Sequence, residues 1–104
     1  MIVCRWHFEV PFGQQDEATK VLKEWAEAMT EEGVVSGVLG HRVLVGHIGP
    51  SPSHVIAEWE MESLAVWEAA LAAVREERFQ EYSRRMASLI VAGSQRWEVW
   101  RPVD

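Results

Sequence analysis

A single cysteine, Cys4, stands among the 104 residues. It forbids an internal disulfide and supplies no thiolate cluster for a metal. No apolar run approaches the roughly 18 residues needed to span a bilayer, so no membrane partner is expected. Basic charge is also short: 10 Lys and Arg against 16 Asp and Glu leave a net charge of −6. Such a chain lacks the clustered cations that hold phosphate backbones or anionic lipid. Its nearest basic pair, Arg84-Arg85, shares a stretch with Glu76, Glu77 and Glu81 and reads as a solvated mixed-charge face. Nucleic acid is therefore not an expected partner. The opening Met1-Ile-Val-Cys-Arg-Trp-His has no basic segment leading into an apolar one, and the expected compartment is the cytoplasm. Nucleotide loops, nucleophile elbows and zinc motifs are missing as well. The glycine-rich stretch 33–40 has neither a G-x-G-x-x-G pattern nor a Lys-Ser/Thr ending, and reads as the approach to a strand.

What is present suits a single folded unit over residues 1–104. The chain is 48% hydrophobic and 25% charged, as ordinary globular domains are. A chain of this length buries roughly two-thirds of its unfolded surface, enough for an unaided core. The first segment alternates: Ile2, Cys4, Trp6, Phe8 and Val10 point one way, Val3, Arg5, His7 and Glu9 the other. Period two with aromatic and β-branched residues predicts a strand with one apolar face, ended by Pro11 and Gly13. Cys4 lies in phase with the apolar set and is expected in a core as a small hydrophobe.

From Asp16 to Glu32 the period changes, with Ala18, Val21, Leu22, Trp25 and Met29 at helical spacing and Gly33 as the stop. Between Gly37 and Ile48 alternation returns, but both faces are partly apolar. Arg42, Leu44 and Ile48 oppose His41, Val43, Val45 and His47, and neither set is singled out as the inner one. Gly49-Pro-Ser-Pro-Ser53 is a loop. His54 to Met61 forms a third strand with Val55, Ala57, Trp59 and Met61 on one side. Ser63 is suited to cap a following helix over Leu64, Trp67, Ala70, Leu71 and Val74. After the charged break Arg75–Arg78 a further helical segment carries Phe79, Tyr82, Met86, Leu89 and Ile90, with Glu81 and Arg85 spaced for a surface pair. Gln95 to Val103 alternates as a last strand, its Pro102 suited to an edge.

The order β-α-β-β-α-β predicts an α+β, ferredoxin-like fold with helices covering one face of a four-stranded antiparallel sheet. The other face would carry Arg5, His7, Glu9, Ile56 and Glu58 beside apolar residues of the edge strands and a C-terminal tryptophan. That is more apolar than a solvated sheet should be, and a second copy of the chain is the expected cover.

The run from Trp59-Glu-Met-Glu-Ser-Leu-Ala-Val-Trp-Glu-Ala-Ala-Leu71 to Glu77-Arg-Phe-Gln-Glu-Tyr82 resembles the dimeric α/β-barrel superfamily. Within it the likeness is to NIPSNAP-like proteins and, more distantly, to antibiotic-biosynthesis monooxygenases. The resemblance implies a homodimer, and an apolar pocket between sheet and helices that takes a flat substrate without any cofactor. Two departures stand out. An Asp-Pro turn usually joins the two helices, where this chain has Val74-Arg-Glu-Glu-Arg78. The haem-degrading relatives place an iron-binding histidine on the helical layer, whereas His7, His41, His47 and His54 all fall in strands or a loop edge.

The residues themselves offer two candidate chemistries. His41 and His47, six apart on one strand, lie roughly 20 Å from each other and cannot share a metal; no metal site is expected. His7 beside Glu58 on a neighbouring strand makes a carboxylate-held imidazole, a general base; the plain alternative is a polar network with Arg5 and Glu9 lining the sheet. Trp6, Trp25, Trp59 and Trp67, joined by Phe79 and Tyr82, point toward the sheet–helix layer. They either line a pocket for an apolar ligand or simply fill the core.

Three readings follow. In the first, a small apolar or aromatic molecule binds between sheet and helices and is oxidised without a cofactor, with His7 as base held by Glu58, Arg5 steadying developing negative charge, and Trp6, Trp59, Trp67 and Tyr82 as walls. In the second, the same fold senses a ligand without catalysis. In the third, it serves assembly alone.

Overall fold

The computed structural model describes residues 1–33 and 35–103; Val34, within the glycine-rich approach to the second strand, and Asp104 lie outside them. Four strands form one antiparallel sheet: β1 (Ile2–Glu9), β2 (Val38–Val45), β3 (His54–Met61) and β4 (Arg96–Trp100), in the order β2-β3-β1-β4. Helices α1 (Gln15–Glu31), α2 (Leu64–Ala73) and α3 (Gln80–Ala87) complete the ferredoxin-like α+β arrangement, with a short 3₁₀ turn at Glu77–Phe79 between α2 and α3. Strands β2 and β4 are shorter than the alternation suggested, since hydrogen-bonded pairing stops before the alternating pattern does.

The predicted inner faces of β1 and β3 are the ones that pack. Cys4, Phe8, Val10, Val55, Ala57 and Met61 are buried, and Ala18, Val21 and Leu22 of α1 share one core cluster with Phe8, Val10, Val55 and Ala57. Met86 of α3 closes the same cluster, and burial of each large apolar side chain contributes about 1.5–3 kcal/mol. Pairing settles the face of β2. His41 stands opposite Trp59, Val43 opposite Ala57 and Val45 opposite Val55, so these three face the helices, while His47, past the end of the strand, lines a depression on the other face.

Two local expectations are corrected. Arg85 does not pair with Glu81 along its own helix; it turns toward α1 and reaches Glu24 at 2.8 Å, while Glu81 takes Arg84. A cross-helix carboxylate is available to Arg85 because α1 and α3 pack side by side, and tertiary geometry overrides the local spacing. The second helical segment is also shorter than expected, because Phe79 sits in the 3₁₀ turn and α3 ends at Ala87.

Helix α2 behaves differently from the other two. Its sequence is apolar nearly all round, yet within it only Ala73 is buried. Ser63 caps its N-terminus by accepting from the Val66 amide. Gly37, at φ +95°, lets the chain pass beneath it; a Cβ there would come within 2.7 Å of Val66 Cγ2. The helix therefore roofs the sheet without filling the space below it.

Candidate functional site

That space is a cavity of about 490 Å³ between the sheet and the helices. Its walls hold five tryptophans, Trp6, Trp25, Trp59, Trp67 and Trp97, together with Leu22, Met29, Met61 and Leu71. Small residues at Ala57 on the sheet and Ala70 on α2 leave room in the wall, where larger side chains would narrow it. The rings brace one another. Trp97 stacks on Trp6 with centroids 5.9 Å apart and meets Trp67 edge-on at the same separation. Trp25 is stacked from behind by Tyr82 at 6.1 Å.

Polar groups are few. Thr30, His41, Arg75, Ser83 and Gln95 reach the wall. The indole N–H of Trp6 donates to Gln95 Oε1 at 3.2 Å. Among the described residues, the indole N–H groups of Trp25 and Trp67 are buried with no hydrogen-bond partner. An unmet buried donor costs about 1–3 kcal/mol, and both of these N–H groups are turned away from the open space. An apolar chamber with a few donors is the usual form of a small-molecule site.

Three expected wall residues, Trp6, Trp59 and Trp67, thus line the cavity. Tyr82 does not: it backs Trp25 from the helical layer. His7, Arg5 and Glu58 stand on the other face of the sheet, because they alternate with the residues that point at the helices. Nor does the expected His7–Glu58 pair form. Arg5 stands directly opposite Glu58 in the register, and Glu58 is held by Arg5 Nε at 2.8 Å and by Arg42. His7 is held by Glu98 and His54 instead. Glu58 is 3% exposed, and the hydrogen bond from Arg42, with the Arg5 contact beside it, keeps its carboxyl below the usual range against the opposing effect of burial.

The imidazole that does reach the cavity is His41, its ring 5.0 Å from that of Trp59. Sequence reasoning left it aside because both faces of β2 are partly apolar; its register against Trp59 was the missing information. Trp97 was passed over for a similar reason, since β4 alternates two tryptophans onto opposite faces. Among the described residues, no group of three or more His, Cys, Asp or Glu side chains is placed to hold a metal ion, and no helix is long and apolar enough to cross a membrane.

No protein-family model and no curated protein matches the sequence. Solved structures do match its fold. A NIPSNAP family protein from Agrobacterium tumefaciens str. C58 superposes with a TM-score of 0.73 at 26% identity, over 99% of this chain and 86% of that one. An uncharacterized NIPSNAP-like domain protein from Burkholderia xenovorans gives 0.74 at 19% identity, over 98% and 84%. An antibiotic biosynthesis monooxygenase gives 0.71 at 14% identity, over the whole of both chains. The resemblance read from Trp59 to Tyr82 is matched by these folds, in both the NIPSNAP and the monooxygenase branches.

Proposed function

We propose that the chain binds a small planar aromatic molecule in the tryptophan-walled cavity, and that two copies pair through the opposite face of the sheet. The observation that carries the first part is the cavity itself: five indole rings surround open space in a wall that is mostly apolar. Flat rings stack on flat ligands. Fluorescence titration with 2-acetylnaphthalene, a planar aryl ketone, tests this. Saturable quenching at one molecule per chain is expected, and quenching that never saturates overturns the reading.

Pairing is supported by the composition of the bare face. Leu44, Ile56 and Val3 lie half-buried there, and Trp100 is 54% exposed. Between them Glu58 is paired with Arg5 and Arg42, and Glu98 with Arg96 beside its hydrogen bond to His7. An acidic chain repels its own copy in general, but this face sets Arg5, Arg42 and Arg96 among Glu9, Glu58, Glu60 and Glu98, which offsets most of its acidic charge. His7, Arg5 and Glu58 accordingly serve the polar network of this face in our reading, as the plain alternative had it.

Oxidation of the bound molecule without a cofactor is the finer form of the first reading, and His41 is what favours it. An imidazole beside Trp59 at the cavity wall is placed to take a proton from an acidic ligand. Oxygen uptake with 1-naphthol, lost in His41→Gln while binding persists, is the expected outcome; uptake equal to a protein-free control rejects catalysis and leaves a sensing role.

A further inference from the structure

On the face away from the cavity, three side chains from three strands form one hydrogen-bonded chain. His7 Nε2 lies 2.6 Å from Glu98 Oε1, and His7 Nδ1 lies 2.8 Å from His54 Nε2. His7 is 5% exposed, although imidazole is a polar group that seldom goes so deep without partners. The linkage depends on the turn before β3. Gly46 donates to the His54 carbonyl and His54 to that of Ser51, and a Cβ on Gly46 would fall 1.9 Å from the Ser51 oxygen. That glycine is thus required for His54 to reach His7.

The protons of this chain can be placed. Arg96 Nη2 lies 3.4 Å from His7 Nδ1, and a guanidinium only donates, so Nδ1 carries the lone pair. His7 Nε2 then donates to Glu98, and His54 Nε2 donates to His7. Either ring can gain one proton with the hydrogen bond between them intact. Both cannot, because two imidazolium rings present only donors. The neighbouring charges are Glu9 and the Arg5–Glu58 pair from β1 and β3, Arg42 from β2, and Arg96 with Glu98 from β4; His47 lines the same depression.

We propose that this Glu98–His7–His54 chain makes pairing of the sheet face proton-linked, the two copies associating at neutral pH and separating when acid charges both imidazoles. The proposal rests on the pairing reading above. Burial, then the nearby His7 and Arg96, lowers the proton affinity of His54, while Glu9 and Glu98 pull the other way. A histidine with a depressed folded value contributes its stability in full above the free value of 6.5, and loses it as pH falls through the lower one. Closing the face removes further water from His54 and strengthens the effect. Glu98 titrates lower: burial pushes it up, but hydrogen bonds from His7 and Trp100 and the charges of His7 and Arg96 hold it below the usual carboxylate range.

Sedimentation equilibrium between pH 7.5 and 5.0 tests the inference on the intact chain. The dimer dissociation constant is expected to rise at least about tenfold across that range, one proton per copy being taken up on separation. In His54→Gln, whose amide still donates to His7, the rise should shrink below about twofold, and His41→Gln should behave as the parent does. A parent dimer with a constant dissociation constant, or a His54→Gln rise equal to the parent's, overturns the proposal and leaves pairing intact. A monomer at every pH overturns pairing and the proposal together. Should His54→Gln fail to fold, imidazole proton shifts of the parent decide. Two coupled steps, one of them below 6.5, are expected, and four independent titrations at the free value contradict the shared chain.

Discussion

His41 and Trp59 stand opposite each other on β2 and β3, their rings 5.0 Å apart and inclined at 40°. Among the described residues this is the one imidazole on the cavity wall, and its neighbour is a ring well suited to stack on a flat ligand. Replacing Trp59 by leucine should weaken binding of 2-acetylnaphthalene by about threefold to tenfold, the worth of one aromatic contact. His41→Gln should change affinity by much less. Titration of both variants checks the pair, and an unaltered affinity in Trp59→Leu would remove this wall from the site.

Glu58 should matter for stability more than for binding. It is buried and accepts hydrogen bonds from two arginines, so Glu58→Gln is expected to cost about 1.5–3 kcal/mol in urea denaturation, with ligand affinity unchanged. Its carboxyl is held below the ordinary glutamate value of 4.5. The stability it adds is therefore complete above that value and is lost as pH falls through the lower folded one. The parent should lose stability more steeply than Glu58→Gln below pH 4.5, and parallel curves would contradict the assignment.

Adjacent residues of α3 make a contrast. Met86 is 1% exposed within the main core, and Met86→Ala should cost about 2–5 kcal/mol. Arg85 next to it forms a half-buried ion pair with Glu24, and Arg85→Ala should cost no more than about 1 kcal/mol. Equal losses in chemical denaturation would mean that the packing of α3 on α1 is misread.

Cys4 should be silent in the native protein. It is fully buried, and burial pushes its thiol above the ordinary cysteine value, so little thiolate exists and none is accessible. A disulfide reagent should react with the folded chain no faster than the chain unfolds, and stoichiometrically in denaturant. Rapid labelling of the folded chain would place β1 differently.

The strands and helices were legible because their periods are clean. Ile2 to Val10 alternates strictly, and Ala18, Val21, Leu22, Trp25 and Met29 keep helical spacing, so both elements and their inner faces followed from hydrophobicity alone. Of the expected wall residues, Trp6 and Trp59 followed from strand alternation and Trp67 from helical spacing. Partnerships across the sheet were not legible. His7 and Glu58 lie on neighbouring strands and seemed a natural pair, but the register sets Arg5 against Glu58 and brings Glu98 to His7 from β4. A shift of two residues along a strand changes every such pairing without changing the hydrophobic pattern. Whether the tryptophans leave a cavity was equally hidden, since it depends on how α2 stands over the sheet and not on the hydrophobic pattern.

The cavity is tested most directly by calorimetric titration with two molecules of one shape, 2-acetylnaphthalene and 2-isopropenylnaphthalene. They differ in a carbonyl oxygen against a methylene group, while both present the same flat rings to the indole walls. Both should bind once per chain with affinities within about threefold of each other, because stacking on the rings is common to both. No heat from either would contradict the cavity as a binding site.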